Sequence, residues 1–121
     1  MTAEVSDVRD GLLTLRVSGL LTEKDMLGAQ QHMAEAILRQ NKVRILALVD
    51  NFSGWDPGGT WDDFSFQDSF DPHIEKMAIV GDKKWEDLAL LFSAKGLRGF
   101  PIEYFVPADI ARARAWLEMD A

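Results

Sequence analysis

The chain has 121 residues, a formal net charge of -7 and no cysteine. Its length fits one compact domain with its own core, and we expect a single domain over residues 1–121. The lack of cysteine excludes disulfides and thiolate metal sites and suits a reducing cytosol, so we expect a cytoplasmic protein. The acidic balance argues against nucleic acid as a partner, because nucleic acid is normally bound by a basic surface. No apolar run approaches the roughly 20 residues of a membrane span, and the N-terminus lacks a signal-peptide pattern.

The first 40 residues predict a β-hairpin followed by a helix. Asp10-Gly11 favours a tight turn, and the alternation of apolar and polar residues over 13–17 predicts a strand with one solvent-facing side. Thr22 is a good N-cap, and apolar residues then recur at helical spacing up to about Asn41. The apolar stripe of this helix is Met26, Ala29, Met33 and Ile37, widened by Leu27, Ala34 and Leu38.

The remaining elements alternate between strand and helix. Residues 43–49 are apolar almost throughout, which is typical of a central strand covered on both faces. Further strands are predicted over 77–80 and 102–106, with a helix after each. The first of these helices is expected to bury Trp85, Leu88, Leu91 and Phe92. The order predicts an α/β fold with a mixed, mostly parallel five-stranded sheet, an N-terminal antiparallel hairpin and about four flanking helices.

The segment 51–72 follows the central strand, where open α/β sheets usually bind ligands. It holds six of the 12 aromatic residues and five aspartates, and it has no lysine or arginine. If it forms a helix, Trp61 and Phe64 fall on one side and Phe66 and Phe70 on nearly the opposite side. One pair can pack on the sheet while the other packs on a neighbouring element, lines a ligand cavity, touches a membrane surface or meets a second subunit. The candidate ligand- or partner-binding residues are Phe52, Trp55, Trp61, Phe64, Phe66 and Phe70.

Four stretches carry a resemblance to a known family. They read DNFSGWDP at 50–57, WDD at 61–63, MAIVGDKKW at 77–85 and ARARAWL at 111–117. With them the chain resembles the SpoIIAA-like family, single-domain bacterial proteins often labelled STAS/SEC14-like. The resemblance implies a mixed sheet flanked by helices and no established enzyme activity. It also implies a small regulatory or ligand-binding module with a distant likeness to lipid-binding SEC14 domains.

The resemblance also implies a candidate phosphorylation site. Anti-sigma-factor antagonists of this kind carry a phosphorylatable serine at the start of the helix after the central strand. Here that place reads PGGT over 57–60, so the candidate hydroxyls are Thr60 and, earlier in the expected loop, Ser53. A phosphate on Thr60 would be favoured by the helix dipole but repelled by Asp62 and Asp63, so a plain helix cap is the favoured interpretation.

No catalytic signature is present in the sequence. The nucleophile elbow, the P-loop and the dinucleotide-binding glycine motif are all absent, and we expect no enzyme activity and no cofactor. Asp68, Asp71 and His73 could bind a divalent cation, but their spacing matches no known loop, so we expect no metal site. Residues 81–84 could hold an anion at a helix start, although a cap by Asp82 with solvated lysines is the simpler interpretation.

The sequence favours a non-enzymatic binding or regulatory module. Its ligand would be an apolar or lipid-like small molecule, or a membrane surface, met by a mobile aromatic helix in the segment 51–72. The alternative is a protein–protein interaction module, a homodimer or the partner of a regulatory protein, that uses the same aromatic surface. An enzyme that uses the acidic loop ranks last. The net charge weakens binding to anionic lipid, so membrane contact would be peripheral at most.

Overall fold

The computed structural model describes residues 2–9, 11–58, 69–93 and 98–119, without the side chains of 6–8. Its strands are β1 (Ala3–Arg9), β2 (Leu12–Leu21), β3 (Val43–Trp55), β4 (Ile74–Val80) and β5 (Ile102–Phe105), and its α-helices are α1 (Glu23–Gln40), α2 (Glu86–Phe92) and α3 (Ile110–Glu118). Short 3-10 helices, Asp71–His73, Lys83–Trp85 and Pro107–Asp109, directly precede β4, α2 and α3.

The five strands form one sheet in the order β1-β2-β3-β4-β5. β1 and β2 pair antiparallel, and every later pair is parallel. This confirms the mixed, mostly parallel sheet with an N-terminal hairpin that the sequence predicts. The three α-helices in the described part of the chain compare with about four expected, because most of the segment expected to form the fourth lies outside the described residues.

Each face of the sheet carries its own core because both faces of the central strands are apolar. On one face α1 packs against β1 and β2. This first core includes Leu13, Leu15, Val17, Ala29, Met33, Ile37, Ile45 and Ile79. On the other face α3 packs against β3, β4 and β5. This second core includes Leu46, Ala78, Val80, Ala113 and Leu117.

The helix α1 begins and ends as the sequence predicts. The Thr22 side chain accepts a hydrogen bond from the Asp25 backbone N–H at 3.1 Å, and the helix ends at Asn41, which has a positive φ of 70°. The predicted stripe is correct at its centre but too wide, since Leu27 is 40% exposed and Leu38 is 73% exposed. Leu38 follows buried Ile37 by about 100° around the helix, which turns it away from the sheet.

The strand β3 is longer than predicted. The sequence predicts a strand over 43–49 followed by a loop, whereas the strand continues to Trp55 beside β2. Ser53 therefore lies on the strand rather than in a loop, and its side chain is exposed. The extension carries Phe52 and Trp55 along the edge of the first core.

Candidate apolar binding cavity

A cavity of about 140 Å³ lies on the face of the sheet that α1 covers. The strands contribute Leu15, Val17, Leu21, Ile45, Ala47, Val49, Ile74, Met77 and Ile79 to its lining. These side chains share one face because strand residues alternate between faces, and Ile74 joins them through a register shift that adds one residue to β4 between Ile74 and Lys76. Ala47 lies opposite both Leu15 and Ile79 in the parallel register. The three central strands thus form an apolar base for the cavity.

The two helices on this face line opposite sides of the cavity. α1 contributes Met26, Gln30 and Met33, whose spacing of four and three residues places them on one side of the helix. From the other side, the segment that contains α2 contributes Trp85, Ala89, Phe92 and Ser93 at the same kind of spacing. The cavity is therefore a gap between two helices above the central strands.

Four of the lining residues form an aromatic cluster, Phe52, Trp55, Trp85 and Phe92. The ring of Phe52 contacts Trp55 and Trp85 edge to face, with centroids 4.9 Å apart in each case. The ring of Trp55 lies 5.2 Å from that of Phe92. Edge-to-face contacts at these distances stabilise beyond simple burial, so the cluster holds its rings in fixed orientations.

Two irregularities in β3 place Phe52 and Trp55 on the cavity side. The register with β2 shifts between Val17 and Gly19 and again between Gly19 and Leu20, and each shift inserts one extra residue into β3. Asn51 has a φ of 51° and Gly54 a φ of 114° at these points. An extra residue reverses which face the following side chains occupy, so two insertions bring residues 49, 52 and 55 to the same face.

The cavity has few polar groups among the described residues that line it: Gln30, Ser93 and Arg98. The Arg98 guanidinium donates two hydrogen bonds to the carboxylate of Asp71, one of them from Nε to Oδ2 at 2.9 Å. The two side chains are only 11% and 20% exposed. A bidentate pair of this kind neutralises the charge of Arg98 next to the cavity.

Within the described part of the chain, one buried donor of the cavity lining has no hydrogen-bond partner. The indole Nε1 of Trp55 is shielded from solvent and makes no hydrogen bond to any described residue. Buried donors are almost always hydrogen-bonded, so the Trp55 N–H is an exception among the described residues that line the cavity.

The structure brings together part of the aromatic set that the sequence singles out. Phe52 and Trp55 belong to the cluster, whereas Phe70 packs at the edge of the first core with its ring 6.5 Å from that of His73. The other three predicted aromatics, Trp61, Phe64 and Phe66, lie outside the described residues, as does Thr60.

Sequence reasoning missed Trp85, Phe92 and Arg98 as lining residues. It interprets Trp85 and Phe92 as part of a buried helical stripe with Leu88 and Leu91, and that stripe is wrong: Leu88 is 49%, Leu91 77% and Phe92 42% exposed. The spacing of Trp85, Ala89 and Phe92 is the signal that could have found the cavity side of α2, because Leu88 and Leu91 turn away from it.

The other candidate sites have structural explanations. His73 Nδ1 lies 2.7 Å from the carbonyl oxygen of Asn41, and Asp71 is engaged with Arg98, while Asp68 is outside the described residues. No group of three or more metal-ligating side chains occurs in the described ranges. Asp82 accepts a hydrogen bond from the Lys84 backbone N–H at 3.0 Å, which confirms its role as a cap.

A model of the SpoIIAA-like family matches residues 12–118. The chain belongs to the SpoIIAA-like family. Among solved structures, this SpoIIAA-like protein is similar to an uncharacterized protein of the DUF3478 family with a SpoIIAA-like fold from Shewanella loihica. The TM-score is 0.70 at 19% identity, with 95% of this chain and 91% of that chain covered. None of the curated proteins matches the chain.

SpoIIAA-like proteins are small binding or regulatory modules, and at 19% identity the structural likeness shows the fold alone. No helix among the described residues is long and apolar enough to cross a membrane.

Proposed function

We propose that this SpoIIAA-like protein is a non-enzymatic module that binds a small apolar ligand in the cavity between α1 and α2. The observation that carries the proposal is an apolar cavity with a few convergent polar groups, which is the usual form of a small-molecule site. Each Å² of apolar ligand surface that enters it gains roughly 25 cal/mol.

The polar lining supports binding rather than catalysis. The Arg98 guanidinium offers only N–H donors and no acceptor, and it is held by Asp71. Ser93 Oγ donates to the carbonyl oxygen of Leu90 at 3.3 Å, with no general base among the described lining residues to activate it.

The cavity volume favours a ring-sized ligand over a complete lipid. At about 140 Å³ it compares with an engineered protein cavity of about 150 Å³ that stays dry and binds benzene. Binding to a lipid-like ligand or to a membrane surface remains a prediction. The net charge of -7 argues against binding to anionic membranes. Flotation with neutral phosphatidylcholine vesicles tests it, and protein that stays unbound contradicts membrane contact.

Benzene binding tests the proposal directly. We expect benzene to raise the melting temperature, since a ligand at ten times its Kd adds about 1.4 kcal/mol to the free energy of unfolding. Ala47→Leu and Ala89→Leu narrow the cavity from the sheet and the helix, and both should abolish the shift. Ala115→Leu makes the same change on an exposed position of α3 and should keep it. An unchanged melting temperature of the unaltered protein at saturating benzene contradicts the proposal.

A second candidate function is protein–protein interaction through α2. Leu88, Leu91 and Phe92 are 49%, 77% and 42% exposed on this short helix, and adjacent exposed apolar side chains are typical of interfaces. If the protein forms a homodimer, we expect its mass by light scattering to rise with protein concentration. The variant Leu91→Glu should keep the monomer mass at every concentration. A monomeric mass at every concentration contradicts the homodimer.

A further inference from the structure

We infer that the cavity selects a neutral, single-ring ligand with one hydrogen-bond acceptor, and that the acceptor takes the indole N–H of Trp55. The inference deepens the proposed function and rests on it, because it names the chemical class of ligand for the same cavity.

The acceptor follows from the unpaired donor. Trp55 lines the cavity, and its Nε1 is buried without a partner among the described residues. A donor in this state has lost its hydrogen bond to water and gained nothing in exchange, so an acceptor brought by a ligand restores a bond that folding removed. The edge contacts of the Trp55 ring with Phe52 and Trp85 fix the orientation of the indole before a ligand arrives.

The neutrality follows from the ion pair beside the cavity. Arg98 is the cation of the described lining, and Asp71 already occupies it through two hydrogen bonds. An anionic ligand would have to displace Asp71 from a largely buried pair or remain without a counter-charge, and both are costly. A carbonyl group accepts a hydrogen bond without adding a charge.

The ring follows from the volume and the lining. About 140 Å³ holds a benzene-sized group, and the aromatic cluster offers faces and edges for a further ring. A ketone or amide attached to one aromatic ring meets all three requirements.

Three single-ring probes of similar shape test the acceptor and the neutrality separately. Ethylbenzene has no acceptor, acetophenone has a neutral acceptor, and benzoate has a charged one. Their affinities are measured by calorimetry for the unaltered protein, for Trp55→Phe, and for two controls with the same substitution. The controls are Trp85→Phe, at a residue that lines the cavity, and Trp116→Phe, at a residue on the other face of the sheet.

We expect Trp55→Phe to weaken acetophenone about fivefold to tenfold more than ethylbenzene, the effect of one neutral hydrogen bond. Trp85→Phe should change both affinities alike, and Trp116→Phe should change neither. Benzoate should bind at least about tenfold more weakly than acetophenone, because its charge is not compensated.

A spectroscopic measurement keeps the test independent of the folding of Trp55→Phe. The chain has four tryptophans, so it gives four indole N–H signals in a nitrogen–proton correlation spectrum. Acetophenone should move the Trp55 signal downfield, as hydrogen bonding does, whereas ethylbenzene should not.

The outcomes separate the two proposals. If neither ethylbenzene nor acetophenone binds, the proposed function and this inference both fail. A second outcome is that both probes bind, that Trp55→Phe weakens them equally, and that the Trp55 signal does not respond to acetophenone. The ligand-binding function then stands, and the hydrogen bond from Trp55 to a ligand acceptor is overturned. If benzoate binds more tightly than acetophenone, the neutrality is overturned.

Discussion

Phe52 and Trp55 lie three residues apart on β3, yet both side chains line the same cavity. In a regular strand an odd separation places two side chains on opposite faces. The register shift with β2 between Gly19 and Leu20 removes this conflict, because it adds one residue to β3 between Phe52 and Trp55. The earlier shift, between Val17 and Gly19, does the same between Val49 and Phe52. The irregular end of β3 is therefore the feature that places these two aromatic residues at the cavity.

The first prediction is that Gly54→Ala destabilises the protein and weakens the aromatic cluster. Gly54 has a φ of 114°, a conformation that side chains other than glycine rarely adopt, and its added Cβ would lie 3.6 Å from the Trp85 ring. We expect a loss of about 1–3 kcal/mol in the free energy of unfolding, measured by urea titration, together with weaker benzene binding.

Gly28→Ala is the matched control for this change. Gly28 lies in α1, and its added Cβ would meet nothing within 4 Å. Alanine is the better helix former, so the control should stabilise by about 0.5–1 kcal/mol. Equal effects of the two substitutions would contradict the role given to the backbone of Gly54.

The order of the elements is encoded locally in this chain, whereas the cavity is not. Local patterns were enough for the order of the strands and for the limits of α1, because the cap at Thr22 and the alternation over 13–17 depend on neighbouring residues. The cavity depends on which helix faces meet across the sheet, and on register shifts that no periodicity reveals. For this reason Phe52 and Trp55 could be singled out by composition, whereas Arg98, which enters from a distant loop, could not.

The second prediction concerns Lys76, which lies opposite Arg44 on neighbouring parallel strands. Its ammonium donates to the carbonyl oxygens of Trp116 at 2.9 Å and Met119 at 2.7 Å, at the C-terminal end of α3. Cations are favourable at the C-terminal end of a helix. The whole residue Lys76 is only 4% exposed. Lys76→Met keeps the apolar stem but removes the charged donor of the Trp116 carbonyl and leaves Met119 with only the hydrogen bond from Arg44, at 3.2 Å.

We expect Lys76→Met to lower the free energy of unfolding by about 1–3 kcal/mol in urea titrations. Lys24→Met makes the same change on an exposed position of α1 and should stay within about 0.5 kcal/mol of the unaltered protein. A stability of Lys76→Met equal to that of the control would show that the ammonium contributes nothing to the end of α3.

The third prediction is an acid-sensitive link between the N-terminus and α1. The Asp25 carboxylate accepts hydrogen bonds from the Thr2 hydroxyl at 2.7 Å and the Thr2 backbone N–H at 2.9 Å. These bonds, the hydroxyl first, lower the pKa of Asp25 below its ordinary value of 3.8. A carboxyl with a lower pKa in the folded state stabilises above its unfolded pKa, and this stabilisation is lost as the pH falls through the folded value.

Thr2→Val removes the hydroxyl donor and leaves the Thr2 backbone bond in place. We expect the Asp25 pKa, followed by carboxyl chemical shift, to move upward toward its ordinary value. Asp25→Asn should cost stability at pH 7 but progressively less as the pH falls below about 4, because protonation already weakens the bonds in the unaltered protein. A difference between the two proteins that stays constant from pH 7 to pH 2 would count against the link.

The fourth prediction is a single, late tyrosine titration. Tyr104 is the one tyrosine of the chain, and its hydroxyl donates to the carbonyl oxygen of Asp82 at 2.7 Å. Burial first, and then the charges of Asp82 and Glu86, raise its pKa from 10.0 to about 12. Because the unfolded state releases this proton at lower pH, the free energy of unfolding should fall as the pH rises from about 10 to 12.

Absorbance at about 295 nm follows the tyrosinate band against pH, and the denatured protein should titrate near pH 10. Gly81→Ala tests the cause, because a Cβ at Gly81 would lie 2.6 Å from the Tyr104 hydroxyl and must displace it. We expect the displaced ring to lose the bond to Asp82 and to titrate closer to pH 10, as a more exposed phenol does. Tyrosinate that appears near pH 10 in the folded, unaltered protein would contradict a half-buried, hydrogen-bonded Tyr104.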